Sequence, residues 1–285
     1  MTAYVTLSFD DGFKETIESV LPILEKYGLR GSFNVIPGLV GKKLDVFKLS
    51  NWDELKSLAR MKHEIASHSM THATLLSGAD LYLSRFSRFF NAITQSPYKL
   101  YHIKKSAHKS KKVDGFSRGS KVRKPYGADI LYELVHSRIS IDRIIPYQTC
   151  TSFVYPGGAY CRKLEREIER AGYSSARGMK FGYNKPGALS KTSLKVQTWH
   201  SFTRVSDMNR SVDRAVKKGL WLIECYHLIG KRQHANYEYF TRTSDFGKHL
   251  RYLGNLDKKG ATMVDTQRNI IELLEVRNKR CLQKT

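Results

Sequence analysis

The chain has 285 residues, with 49 Lys or Arg against 26 Asp or Glu and a formal net charge of +23. Hydrophobic residues make up 41%, enough to bury a core in one large domain or two small ones, and this excludes a disordered chain. No apolar run reaches the roughly 18 residues a membrane-spanning helix needs.

Residues 3–9 place Ala3, Val5, Leu7 and Phe9 at alternate positions and read as a strand. No cationic start precedes an apolar run, so no secretory signal is expected and the cytoplasm is the expected location. Pro22 suits the first turn of a helix that stops at Tyr27-Gly28. A second strand is expected at 31–36. Ser50 and Asp53 resemble a capping box before a helix with Leu55, Leu58 and Ala59 on one face. A third strand is expected at 63–67. Helical spacing is visible at Ile130, Leu131, Leu134 and Val135. Further strands are expected at 151–155, 173–177, 194–199, 220–226 and 261–264. The helices between them carry Leu164, Ile168 and Ala171; Met208, Val212, Ala215 and Val216; Phe246, Leu250 and Leu253; and, last, Ile270, Ile271 and Leu274. Gly172 and Gly219 stop the first two of these. Alternation of strand and helix over the whole length predicts an α/β fold with a parallel sheet, open or closed into a barrel. Cys150, Cys161, Cys225 and Cys281 form no C-x-x-C pair and read as reduced thiols.

Residues 98–126 interrupt the rhythm with ten basic residues against one acid, Asp114. The segment reads as a mobile insertion within a single domain spanning 1–285. The overall charge points the surface toward anionic partners, with nucleic acid as the first reading. No helix-turn-helix pattern, zinc-finger spacing or RNP-like strand accompanies it, so no specific nucleic acid is expected.

The chemistry-bearing residues follow strands. Residues 3–9 run into Asp10-Asp11-Gly12, where two adjacent carboxylates repel each other unless a cation is near. The strand at 63–67 runs into His68-Ser69-Met70-Thr71-His72, whose two histidines, four apart, can face one metal from a helical turn. Ser69 stands where a zincin motif needs Glu, so this is not that motif. In a parallel α/β fold both segments emerge at the same C-terminal face. One Asp and two His make three ligands and leave room for water and substrate, as in catalytic zinc sites, with the other Asp left as a base. Phe153 to Gly158 ends a strand in a Pro-Gly turn, and Glu224-Cys225-Tyr226-His227 ends another on a histidine.

Taken together these residues resemble the NodB-type polysaccharide deacetylases, carbohydrate esterase family 4. Ser8-Phe9-Asp10-Asp11-Gly12 matches the family's first motif and His68-Ser69-Met70-Thr71-His72 its second. Phe153-Val154-Tyr155-Pro156-Gly157-Gly158 is similar to the third, and Cys225-Tyr226-His227 stands where the fifth is expected. The resemblance implies a distorted barrel of seven or eight parallel strands. It implies a metal-dependent deacetylase that hydrolyses the N-acetyl group of a sugar or glycoconjugate. Asp11, His68 and His72 would hold one divalent ion, Zn2+ first; Asp10 would be the base and His227 the acid. A backbone N–H after Pro156, that of Gly157, would hold the oxyanion, and Tyr155 borders it. Two departures stand out. The family's usual third-motif Arg is replaced by Val154, and Arg177 at the end of the next strand is the expected substitute. The fourth motif's Asp has no counterpart, although Trp199 nearby is a candidate pocket wall or sugar platform. These departures keep a catalytically impaired glycan-binding relative as an alternative reading, and the charge keeps a basic nucleic-acid-binding protein as another. The basic segment is expected to meet substrate phosphates, on a nucleotide- or lipid-linked sugar, or the anionic inner membrane face.

Overall fold

The computed structural model describes residues 2–75, 128–232 and 237–282. The segment 98–126, read above as a basic insertion, lies outside the described residues.

The eight expected strands are present. They are β1 (Ala3–Phe9), β2 (Gly31–Val35), β5 (Glu64–Ser67), β6 (Ser152–Val154), β7 (Ser175–Phe181), β8 (Leu194–Thr198), β9 (Trp221–Tyr226) and β12 (Thr262–Val264). Their order in the sheet is β12-β1-β2-β5-β6-β7-β8-β9, and β1 also pairs with β9. Seven parallel strands therefore close into a barrel, and β12 is an eighth that lies against the start of β1. Short pairs are added by β3 (Lys43–Leu44) with β4 (Phe47–Lys48) and by β10 (Leu228–Gly230) with β11 (Phe240–Arg242). The helices are α1 (Lys14–Tyr27), α2 (Trp52–Arg60), α3 (Ala128–Leu131), α4 (Ser137–Ile144), α5 (Arg162–Arg170), α6 (Val205–Lys218), α7 (Thr243–Lys258) and α8 (Gln267–Leu282), with a π-helical turn at Tyr132–His136 joining α3 to α4. Among the described residues no helix is long and apolar enough to cross a membrane. Cys150, Cys161 and Cys225 are free.

The two faces of β1 explain the layering. Ala3, Val5, Leu7 and Phe9 point out into the main core with Val20 and Leu24 of α1 and Phe246 and Leu250 of α7. The alternate residues point into the barrel, as the two-residue period of a strand requires. There Thr6 Oγ1 accepts from Trp221 Nε1 at 3.1 Å, and Ser8 Oγ accepts from Arg177 Nη2 at 2.9 Å. Neighbouring strands keep the phase. Ser32 of β2 donates to Glu64 of β5 at 2.7 Å, and Gln267 at the start of α8 donates to Ser175 of β7 at 2.9 Å. Polar side chains thus line much of the barrel interior beside a second apolar cluster that includes Tyr4, Val196, Trp221 and Ile223, while the main apolar core fills the shell between strands and helices. Inward side chains that continue this phase past the strand ends arrive together at the C-terminal mouth.

Two local readings need correction. Pro22 lies inside α1 rather than in its first turn. It sits on the solvent side, and burial of Thr16, Ile17, Val20 and Leu24 outweighs its missing N–H. The cap of α2 is Asn51, one residue beyond Ser50: its side chain accepts from Asp53 and Glu54 N–H, both at 2.9 Å, and Glu54 accepts from Asn51 N–H at 2.9 Å. Ser50 is not available for this, because it is buried and its N–H donates to Gly12.

Candidate active site

At the mouth of the barrel a cleft of about 510 Å³ is bordered by Asp10, Asp11, His68, His72 and His227. Consecutive strand residues point to opposite sides, so Asp10 and Asp11 share the cleft only because Asp11 leaves the strand conformation. Its φ is +70°, and Gly12 follows at +71°. Ser69 and His72 also have left-handed backbones, both at φ +64°. Such conformations cost on the order of 1–3 kcal/mol each in non-glycine residues, and their concentration here marks a place where geometry is imposed on the chain.

The stretch from His68 to His72 is a loop, not the helical turn its spacing suggests. Ser69 Oγ accepts from His72 N–H at 3.0 Å, and His68 N–H donates to Val35 O at 2.8 Å. Glu133, on the π-helical turn, clamps it from the far side by accepting from Thr71 N–H at 2.8 Å and from the Thr71 hydroxyl. The result presents His68 Nε2 and His72 Nε2 at 3.5 and 3.4 Å from one carboxylate oxygen of Asp11. His68 donates from Nδ1 to Val154 O at 2.9 Å, which fixes the ring and turns Nε2 toward the cleft. This carboxylate and two imidazoles with an oriented tautomer fit the donor set of a catalytic divalent-metal site. Burial and the neighbouring His68 hold His72 down near pKa 4, so its imidazole is neutral and able to ligate at physiological pH.

Asp10 is buried behind this triad. Burial alone would raise its pKa, but Arg177, His227 and His68 overcome that and hold it below the usual carboxylate value. Arg177 is fully buried and donates through Nη2 to Asp10 Oδ1. Asn34 donates to the same oxygen at 2.8 Å. Arg177 sits directly beside Val154 in the register of β6 and β7. The guanidinium therefore enters the barrel one strand away from the position the resemblance would give it, and the expected pairing with Asp10 is present. The other oxygen of Asp10 faces Cys225, whose thiol donates to it at 3.4 Å, and His227 Nε2 at 3.8 Å.

The remaining expected residues divide. Tyr155 and Gly157 border the cleft, and Gly157 adopts φ +61°. Pro156 is buried and sets the turn. Trp199 does not border the cleft; it is 5% exposed and packs in the main core, so the sugar-platform expectation fails for this residue. His227 Nδ1 is buried with no hydrogen-bond partner among the described residues, consistent with the missing fourth-motif Asp. Sequence reasoning missed Asn34, Cys225 and the aromatic wall of Phe13, Phe47, Tyr237 and Tyr239. The inward phase of β2 and β9 carries the first two. The wall comes from β4, from residues 237–239 and from the turn into α1, which carry no periodic signal.

Residues 2–176 match the family model for polysaccharide deacetylase, and the chain belongs to that family. It is a hydrolase of the class that removes acetyl groups from carbohydrates. No curated relative matches in sequence. Two solved structures share the fold. The Xyl-CE4 domain of a multidomain xylanase from the hindgut metagenome of Trinervitermes trinervoides is 16% identical, with TM-score 0.51 over 95% of this chain and 91% of that one. The family 4 acetyl xylan esterase of Clostridium thermocellum, in complex with a cobalt ion, is 15% identical, with TM-score 0.50 over 95% and 91%. The matched residues include Asp10, Asp11, His68, His72 and the turn at Gly157. Arg177, Cys225 and His227 lie beyond them and stand on geometry.

Proposed function

We propose that the chain is a divalent-metal-dependent N-deacetylase of an acetylated glycan, acting through one domain over 1–285. The observation that carries this is the Asp10–Arg177 pair set directly against the Asp11, His68 and His72 triad, with His227 on the other side of Asp10. When bound at the triad, a divalent ion, Zn2+ by the mixed nitrogen and oxygen donors, supplies charge that polarises the acetyl carbonyl and acidifies a water. Arg177 and Asn34 fix Asp10 and keep it ionised, so that it can accept the proton of the attacking water. Gly157, in the turn that borders the cleft, would offer its N–H to the developing oxyanion. His227 gives a proton to the leaving nitrogen as the carbon–nitrogen bond breaks, yielding acetate and a free amine.

The test is acetate release from N-acetylglucosamine oligomers by the wild type and by Asp10→Asn and His72→Ala. Each variant is expected to lose activity, and chelation is expected to abolish it reversibly. Full activity in either variant sinks the reading. Release from acetylated xylan with none from N-acetylated oligomers moves it to an O-esterase.

A further inference from the structure

The two oxygens of Asp10 have different company. Oδ1 is taken by Arg177 and Asn34. Oδ2 lies 3.4 Å from Cys225 Sγ and 3.8 Å from His227 Nε2. These three donor atoms all lie within 4.8 Å of one another, as do those of Asp11, His68 and His72. Among the described residues no other group of three such side chains converges in this way.

The spacing fits a metal. Donors in a tetrahedral zinc site, at bond lengths of about 2.0–2.3 Å, are separated by roughly 3.3–3.6 Å. Two edges of the Asp10 cluster already meet that spacing to within a few tenths of an ångström. The strands hold the donors there. In the pairing of β1 with β9, Ser8 lies opposite Cys225 and Phe9 opposite Tyr226, so Asp10 and His227 follow side by side. Thr16 Oγ1 donates to His227 O at 2.9 Å and accepts from Ile229 N–H at 2.9 Å, which fixes the backbone around His227. Asp10 and Cys225 are buried, and His227 closes the cluster at the cleft wall.

The donor set decides the ligand. A thiolate beside an imidazole and a carboxylate selects thiophilic divalent ions such as Zn2+ and Co2+ over Mg2+ and Ca2+. An ion held there engages the Asp10 oxygen that Arg177 and Asn34 leave open, together with the ring nitrogen of His227. Those are the two groups assigned to proton transfer.

We propose that Asp10, Cys225 and His227 form a second metal site, for Zn2+ or another thiophilic divalent ion, and that filling it switches the enzyme off. On binding, the S–H bond of Cys225 gives way to a sulfur–metal bond and the proton goes to solvent, with no change of oxidation state. The Arg177 charge and repulsion from an ion at the Asp11, His68 and His72 triad both weaken this site, so it fills second. The site stands on its own geometry, and its inhibitory effect rests on the deacetylase reading.

The experiment titrates the chelator-treated full chain with Co2+ and follows its absorption. The first equivalent is expected to give only the weak visible bands of nitrogen and oxygen ligation. The second is expected to add an intense near-ultraviolet sulfur-to-cobalt charge-transfer band. Cys225→Ala should bind one equivalent and show no such band. His227→Ala keeps the thiol and should bind the second equivalent at least about tenfold more weakly, the loss that removal of even an outer-shell partner brings. With Zn2+, acetate release should rise up to one equivalent and fall at least about tenfold in excess, against less than about twofold in Cys225→Ala measured from its own maximum. Excess Mg2+ should not inhibit. A sulfur band that persists in Cys225→Ala, one complete at the first equivalent, or none in the wild type overturns the site. Equal inhibition of wild type and Cys225→Ala by excess Zn2+ overturns the switch. If no acetate is released at any Zn2+ level, the deacetylase reading fails on its own, and the cobalt titration still decides the site.

Discussion

Strand β9 carries a buried polar cluster on each of its faces, and the two follow different rules. On the outer face, Glu224 lies under α6 and α7 and is fully enclosed. Both of its oxygens accept from His249 Nε2 at 3.0 Å, Tyr226 donates to one at 2.8 Å, and His249 Nδ1 lies 2.8 Å from Asn209 Oδ1. Nothing in it reaches the cleft. On the inner face, one residue further along, Cys225 joins Asp10, and His227 follows at the mouth. There one carboxylate oxygen is saturated by Arg177 and Asn34, while the other faces a weak thiol donor and a histidine at longer range. The closed cluster can only fix structure. The open one leaves acceptor capacity beside the cleft, which is what proton transfer requires.

The contrast breaks most sharply at Asp10. Asp10→Asn keeps the shape and removes the proton acceptor, so kcat should fall by about 10²–10⁴, the usual share of general-base catalysis. The matching change on the outer face is His249→Ala, which strands Glu224 in the interior. Unpairing a buried charge costs roughly 3–5 kcal/mol, and a urea unfolding curve should show a loss of that order. Acetate release per folded molecule, measured at low temperature, should stay within about threefold of wild type, because the cluster's effect is on stability. A large kcat effect from His249→Ala would show that the two faces are coupled through the strand.

Arg177→Gln comes next in size. Burial pushes the pKa of Asp10 up, and Arg177 leads the groups that bring it below normal. Removing the guanidinium leaves burial less opposed, so the folded-state pKa rises. The base must be ionised to act, so the acidic limb of kcat/KM should move to higher pH, with the rate lost earlier as pH falls. A roughly tenfold or larger loss is expected at mildly acidic pH, with partial recovery as pH rises. A profile that drops uniformly without shifting would make Arg177 a packing element only.

These residues also show what the sequence makes legible. The first two motifs, which carry the proposed metal donors and the proposed base, are visible because each directly follows an expected strand. Phase alone then places Asp10, His68 and His227 at one mouth. The backbone at Asp11, Ser69 and His72 departs from strand or helix, and no periodicity announces that, so a helical turn was expected where a clamped loop stands. Arg177 reads in the sequence as a cation at the end of a strand over 173–177, but β7 runs on to Phe181 and holds it inside the strand, and its partner is settled by barrel closure and register. Trp199 reads as a wall residue in the sequence and stands in the core, since an aromatic at a strand end carries no mark of the side it takes. Glu133 is separated by 61 positions from His72, and its clamp on Thr71 is a tertiary contact that no local pattern encodes.

The smallest expected effect is at Cys225 and tests how finely the open cluster is tuned. Burial, and then the charge of Asp10, pushes its thiol pKa up, so it stays protonated and remains a donor to Asp10 Oδ2. A neutral hydrogen bond contributes about 0.5–1.5 kcal/mol and a thiol is a weak donor, so Cys225→Ala should lower kcat by only about two- to fivefold. Cys225→Ser keeps a donor in nearly the same volume and should recover most of that loss. The thiol also reports directly: its S–H stretching band in the wild-type-minus-Cys225→Ala infrared difference spectrum should move to lower frequency than that of a free thiol, and should relax in Asp10→Asn. If the alanine and serine variants are equally impaired and the band does not respond to Asp10, the thiol merely fills space. The inner face would then orient its base with Arg177 and Asn34 alone, from one side of the carboxylate.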